Sequence, residues 1–302
     1  MPELPDVTVY VERLRALACS QHLLAMRVQS PFLLRTVDPA PDAFVGRALQ
    51  DVRRIGKRIV MGFEGEHYAA IHLMIAGRLR WTPVAPGAAA HPNRSAIATF
   101  DFPSGSLFMT EAGTKHRASL HLVRGRDQLA AFDRGGVSVF EDSPAAFGAA
   151  LCRENRTIKR ALTDPSIVDG VGNAYSDEIL HRARLSPFAL TRSLDAATLA
   201  SLREAAIEVL SEWTERLRKE AGPTLPQKVT AFHPEMAVHG KYGKPCPVCG
   251  TPVQRVVYAE NEANYCPTCQ TGGRVLADRA LSRLLKDDWP RTLDELEKLR
   301  PT

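Results

Sequence analysis

Two short motifs, Cys246-Pro247-Val248-Cys249 and Cys266-Pro267-Thr268-Cys269, constrain the fold more than any other feature of the chain. Each C-x-x-C turn can aim two thiolates at one ion, and four thiolates complete a tetrahedral zinc shell with no open position. Such a metal is structural, holding together a module too small to build its own core. The segment between the motifs, Pro252 to Tyr258 and on to Tyr265, reads as two strands and a tip. One zinc-bound β-hairpin is the expectation, with a redox dithiol as the competing reading. Cys19 and Cys152 stand alone, and a chain of 302 residues does not need a disulfide scaffold. Zinc ribbons serve many functions, so these motifs set structure and leave activity open.

Ahead of this module the chain changes character once. From about Leu23 to Val123 the signals are β: Leu24–Val28, Arg58–Phe63, Tyr68–Leu73, Ala96–Phe102 and Ser119–Val123 alternate or run apolar, separated by turns such as Gly65-Glu66 and Pro103-Ser104-Gly105. Many short strands without intervening helices predict a sandwich or barrel. After Gly135-Gly136 the periodicity becomes helical, over Pro144–Leu151, Asn155–Leu162, Asn173–Ala183 and Leu194–Glu220. A boundary therefore falls between residues 130 and 150. A further helix is expected around Leu276–Leu285, before a charged tail.

A formal charge of +5 permits a nucleic-acid partner without demanding one. No apolar run is long enough to cross a membrane, and no basic segment followed by an apolar one marks a secretory signal.

The N-terminus, Met1-Pro2-Glu3-Leu4-Pro5-Asp6, offers chemistry. With Met1 removed, the Pro2 nitrogen is a secondary amine that can add to an aldehyde carbon and form an iminium. Glu3 stands beside it to move protons. Asp6 reads as the N-cap of a helix starting at Val7, whose positive dipole end would favour the free amine. A frayed, functionless terminus is the competing reading. Asp169-Gly170-Val171-Gly172-Asn173 places two glycines before a helix, where N–H groups favour a phosphate; a plain helical corner is equally compatible. Gly56-Lys57-Arg58 puts a basic pair at a turn before a strand, either as a solvated feature or as a phosphate contact.

Taken together, these residues resemble the formamidopyrimidine-DNA glycosylase and endonuclease VIII family of base-excision repair enzymes. The resemblance rests on Pro2-Glu3-Leu4-Pro5, Gly56-Lys57-Arg58, His72-Leu73 through Gly77-Arg78-Leu79, Ile158-Lys159, Gly170–Leu180 and the paired cysteines, in the family's order from residue 2 to about 270. It implies an α+β multidomain chain: an N-terminal catalytic β-sandwich with a leading helix over 1–133, a helix–two-turn–helix DNA-binding domain over 134–235, a zinc-finger hairpin over 236–273 and a helical tail over 274–302. It further implies one structural zinc, and a monomer acting on double-stranded DNA that carries a damaged base or abasic site, lodged in a cleft between the two halves. The implied setting is the bacterial cytoplasm, close to the nucleoid. Pro2 would attack C1′ of a flipped-out nucleotide, Glu3 would protonate the sugar oxygen, and elimination would cut the strand. Lys57, grouped with Pro2 and Glu3 in the catalytic set, and Asn173 would hold phosphates; Glu178 is expected to be structural.

The same resemblance marks departures in lesion recognition. Asn261 stands where the family's hairpin tip carries an arginine, between acidic neighbours Glu260 and Glu262; Arg255 and Arg274 are the nearby guanidinium groups. Ile75 takes the place of a void-filling methionine. The segment Gly113–Ala118 supplies Lys115 and Arg117 to DNA but no aromatic wedge. The loop Thr224–Thr230 lacks the serine-rich, Arg-Asp pattern of members specific for oxidised guanine, so 8-oxoguanine is not the expected base. A non-catalytic or lyase-only binder of damaged DNA is the alternative function, and a zinc protein for RNA or another protein the more distant one.

Overall fold

A computed structural model describes residues 1–85, 93, 95–112, 115–227, 233–258, 261–277 and 289–298. The chain divides into two compact units, Met1–Arg134 with Ser211–Thr230, and Gly135–Leu210 with Ala231–Thr302.

The first unit is a β-sandwich behind a leading helix. Helix α1 (Leu4–Ala18) is followed by strands β1 (Ala25–Val28), β2 (Leu49–Ile55), β3 (Arg58–Phe63), β4 (His67–His72), β5 (Gly77–Pro83), β6 (Ala98–Phe102), β7 (Gly105–Glu111) and β8 (Ser119–Arg124), and then by the short helix α2 (Arg126–Ala130). They form two antiparallel four-stranded sheets, ordered β1-β6-β7-β5 and β2-β3-β4-β8. Alternation sends Ile59, Met61 and Phe63 of β3, Ile71 of β4, Phe100 of β6, Leu107 and Met109 of β7 and Leu120 and Leu122 of β8 into one core, which Val7, Tyr10, Leu14 and Ala18 of α1 also enter. The sequence pattern shows five of these strands; β2, β5 and β7 emerge only in the fold. Their runs, such as Leu49-Gln-Asp-Val-Arg-Arg-Ile and Gly77-Arg-Leu-Arg-Trp-Thr-Pro, are cut by charge, Gly and Pro, and pairing with neighbours overrides their weak propensity.

The second unit carries helices α3 (Pro144–Cys152), α4 (Ile158–Thr163), α5 (Asn173–Arg182) and the start of α6 (Ala196–Ala221), followed by the hairpin β9 (Gln254–Tyr258) and β10 (Asn261–Tyr265) and a short helix α7 (Pro267–Thr271). Helix α4 starts three residues later than its pattern suggests, because Thr157 is its N-cap. The hairpin pairs Tyr258 with Asn261 and Gln254 with Tyr265, as expected for a two-stranded zinc module. The expected Leu276–Leu285 helix falls largely on residues 278–285, outside the described residues. No described helix is long and apolar enough to cross a membrane.

Candidate active site and nucleic-acid interface

The first unit gathers its charged groups around the chain's N-terminus. Pro2 and Glu3 are buried, and Met1 is half-buried. Helix α1 begins at Leu4 rather than Val7, and its cap is Glu3 rather than Asp6. The reason is local: Pro5 suits the first helical turn, so the chain is already helical before Asp6. Asp6 then sits at the third helical position, and its Oδ2 accepts from the Glu3 N–H at 3.0 Å, while the Glu3 carboxylate accepts from the Asp6 N–H. This reciprocal box fixes Glu3 next to Pro2.

The N-terminal amine of Met1 occupies the position next to the Pro2 nitrogen. Burial pulls its pKa below the ordinary α-amino value; Glu3 and Asp6 oppose that, and Arg78 and Lys57 reinforce it. Lys57 stands in the two-residue β2–β3 turn, where Gly56 adopts φ +59°. His72 closes β4 and is pushed down to about 4, first by burial and then by Arg58, Lys57, His121 and the N-terminus. It is therefore neutral at pH 7. Tyr10 donates to the Pro226 carbonyl at 2.9 Å, and burial raises its hydroxyl pKa. Three strand ends and a helix start thus bring Lys57, His72, Arg78 and Glu3 within electrostatic reach of the N-terminal amine. The sequence reading gave His72 and Arg78 no role. Their advance signs are the His72 that ends an apolar strand and the place of both residues in the segment His72–Leu79 that carries the family resemblance.

Two loops border this cluster. The β4–β5 loop holds Met74, at φ +52°, and Ile75, 57% exposed. The Gly77 N–H closes the loop onto the Leu73 carbonyl at 2.8 Å, and a Cβ at Gly77 would lie 2.3 Å from that same oxygen, so only glycine fits. Arg78 donates to the Ile75 carbonyl at 3.1 Å. The β7–β8 loop is pinned by Glu111, whose Oε1 accepts from the N–H groups of Arg117 and Ala118 at 2.8 and 2.9 Å. Its exposed Lys115, His116 and Arg117 follow Gly113-Thr114, which lie outside the described residues. Pairing of Gly77 with Glu111 brings the two loops side by side.

The second unit is built on α5. Its N-terminus is preceded by Gly170 at φ +77° and capped by Gly172 without a side-chain hydrogen bond, leaving Asn173 half-buried at the start. Lys159 is almost fully buried; its Nζ donates to Asp177 Oδ1 at 2.6 Å, Ser176 Oγ at 2.9 Å and the Asn173 carbonyl at 3.0 Å. Asp177 Oδ2 also faces His239 Nδ1 at 2.7 Å and accepts from Asn264 Nδ2 at 3.3 Å. Glu178 accepts from the backbone N–H groups of Ala237, Val238 and His239 at 2.8 to 2.9 Å. Burial pushes its carboxyl pKa up, against those three donors. Glu178 thus has the structural place the sequence suggested.

Asn261 is exposed at the start of β10. Arg255 lies 3.5 Å from Glu262 across the hairpin and stacks 4.5 Å over the Tyr242 ring, so its guanidinium is engaged within the module. Residues 259–260 of the tip and 228–230 of the preceding loop lie outside the described residues. The Sγ atoms of Cys246, Cys249, Cys266 and Cys269 all lie within 4.8 Å of one another. A tetrahedral zinc with bonds of about 2.3 Å needs sulfur separations of about 3.8 Å, so the four fit one ion.

Comparison with known proteins agrees with this geometry. The formamidopyrimidine-DNA glycosylase N-terminal domain matches residues 1–116, the H2TH domain of the same enzymes matches 139–221, and the zinc finger found in FPG and IleRS matches 243–272. The chain belongs to the formamidopyrimidine-DNA glycosylase family. The formamidopyrimidine-DNA glycosylase of Thermus thermophilus is 34% identical over 284 residues, spanning 90% of this chain and 100% of that one. An uncharacterized formamidopyrimidine-DNA glycosylase-like protein of Mycobacterium tuberculosis is 47% identical over 151 residues, 50% of this chain and 94% of that one. The solved structure of Thermus thermophilus MutM superposes with a TM-score of 0.74 at 30% identity, over 89% of this chain and 98% of that one. The Lactococcus lactis enzyme complexed with abasic-site DNA reaches 0.78 at 24% identity, over 89% and 99%, and speaks for the shared fold. As a glycosylase-family chain with a four-cysteine cluster, the protein holds one structural zinc through Cys246, Cys249, Cys266 and Cys269.

Proposed function

We propose that this chain removes a damaged base from double-stranded DNA and cuts the strand at the resulting abasic site, with Pro2 as nucleophile once Met1 is gone. The base-excision-repair glycosylase class follows from the family. The residue roles are our reading, and one observation carries them: Pro2 and the Glu3 carboxylate are buried side by side, at a point in the fold where burial, Lys57 and Arg78 already lower the basicity of the neighbouring Met1 amine.

A free amine is the nucleophilic form, so lowered basicity raises its fraction at neutral pH. The Pro2 nitrogen attacks C1′ of the flipped nucleotide and the base departs with its bonding pair, taking up a proton. Glu3 gives a proton to the ring oxygen, and the opened sugar is held as an iminium. That electron sink acidifies the C2′ hydrogen, whose loss expels the 3′ phosphate. Water then releases the sugar and restores the amine. Lys57 and Asn173 hold phosphates, the latter through the N-terminus of α5. Ile75, Lys115 and Arg117 meet the duplex around the extruded base, while Asn261 at the hairpin tip supplies a weaker contact than a guanidinium fork.

That tip supports a second reading. With Glu262 beside Asn261 and Arg255 turned onto Tyr242 and Glu262, the hairpin is poorly charged for phosphate, as suits a lyase-only or non-catalytic binder of damaged DNA. Borohydride trapping separates the two. A duplex with one abasic site is expected to give a covalent adduct that disappears in Pro2→Gly and persists in Cys19→Ser. An intact mass that still includes Met1, or no adduct at any enzyme concentration, favours the binder. An adduct on abasic DNA with no release from a panel of oxidised and ring-opened bases marks a lyase alone.

A further inference from the structure

We propose that His181 is a positioning residue for the structural zinc, donating its Nε2–H to the Cys246 thiolate and so tying the metal's shell to α5. His181 Nε2 lies 3.3 Å from Cys246 Sγ, and both residues are buried, at 7% and 3% exposure. Zinc with four thiolates carries a formal charge of −2. A buried anion of that kind needs donors to spread its charge, and such outer partners orient the ligands as well. Two of the other sulfurs have polar neighbours close in sequence: the Cys269 N–H donates to Cys266 Sγ at 3.5 Å, and the Thr251 hydroxyl lies 3.3 Å from Cys249 Sγ. Cys246 instead meets a side chain 65 positions away in sequence.

The helix face makes that contact more than an accident of packing. His181 follows Asp177 by four residues, so the two share one stripe of α5. Asp177 grips His239 and Asn264 of the zinc module, Glu178 caps the module's backbone at Ala237, Val238 and His239, and the Gln270 side chain of α7 donates to the Leu185 carbonyl just beyond α5 at 2.8 Å. His181 extends this seam to the metal itself. Its end of α5 is the negative end of the dipole, which repels an anionic cluster, and a directed N–H offsets that repulsion. This role concerns metal retention and is independent of the Pro2 chemistry.

The test uses the full-length zinc-loaded chain, with transfer of Zn2+ to a chromogenic chelator and, separately, the thiolate-to-metal charge-transfer band of the Co2+ form. His181→Phe keeps a ring without the donor, and is expected to weaken zinc retention by about 10- to 100-fold and shift the Co2+ band. His181→Gln places an amide nitrogen near the Nε2 position, and is expected to stay within about threefold of wild type. Should the Phe variant fail to fold, Gln against Asn carries the test, since the shorter amide falls short of Cys246. Wild-type retention and spectrum in His181→Phe, or equal loss in Gln and Asn, would overturn the assignment and leave His181 as packing.

Discussion

Lys159 and His72 are both basic side chains drawn out of water, and the two units handle them in opposite ways. Lys159 sits in a saturated network: three acceptors surround its ammonium, and Asp177 is shared with His239 and Asn264. His72 sits among like charges. Arg58, Lys57 and His121 all disfavour its protonation, and His121 and Arg58 are themselves held below their ordinary values, by burial first. His121 Nδ1 and Arg58 Nε find no hydrogen-bond partner among the described residues, and the Arg58 guanidinium rests 5.3 Å over the Phe132 ring. A saturated network makes a rigid frame. A cluster in which a neutral histidine stands among cations makes a place where an anion would be welcome.

The largest expected effect breaks the frame. Lys159→Met leaves Asp177 buried with its main counter-charge gone, and should cost about 3–5 kcal/mol in urea unfolding of the full chain. A cost under about 1 kcal/mol would mean that His239 and Asn264 suffice, and the contrast between the units would fail. Next comes the pH profile of the first unit. The folded pKa of His72, about 4, lies below the unfolded value of about 6.5. The unfolded chain then binds the extra proton, so the stabilisation is complete above about pH 6.5 and is lost as pH falls toward 4. His72→Asn should flatten this stretch of the stability curve; an unchanged slope would remove His72 from the cluster's balance. The smallest effect sharpens the role of the loops. Ile75→Ala should shift stability by no more than about 0.5 kcal/mol, since the side chain is largely exposed. The same change should reduce discrimination between a damaged duplex and an intact one in competition binding. Equal discrimination would leave Ile75 as a surface residue.

The elements carried by spacing alone were legible in the chain. The four cysteines announce their cluster because metal chemistry demands that ligand count and that turn. Helix α6 and the apolar strands announce themselves by period, and α5 by its flanking glycines. Helix α1 is legible as a helix, but its start is not: Asp6 looks like a cap until Pro5 is placed inside the first turn. The strands β2, β5 and β7 were not legible, because their polar and glycine-rich runs become strands only when a neighbour supplies the ladder.

Sequence by itself determined which groups the chain possesses: a Pro2-Glu3 pair, four cysteines in two turns, a basic hairpin corner and a glycine-flanked helix. Tertiary structure alone decided which of them share an environment. That His72 is kept neutral, that Lys159 meets one carboxylate and two further acceptors and that His181 reaches Cys246 all depend on pairs distant along the chain. Burial and Coulomb forces act through space, and local spacing holds no record of them.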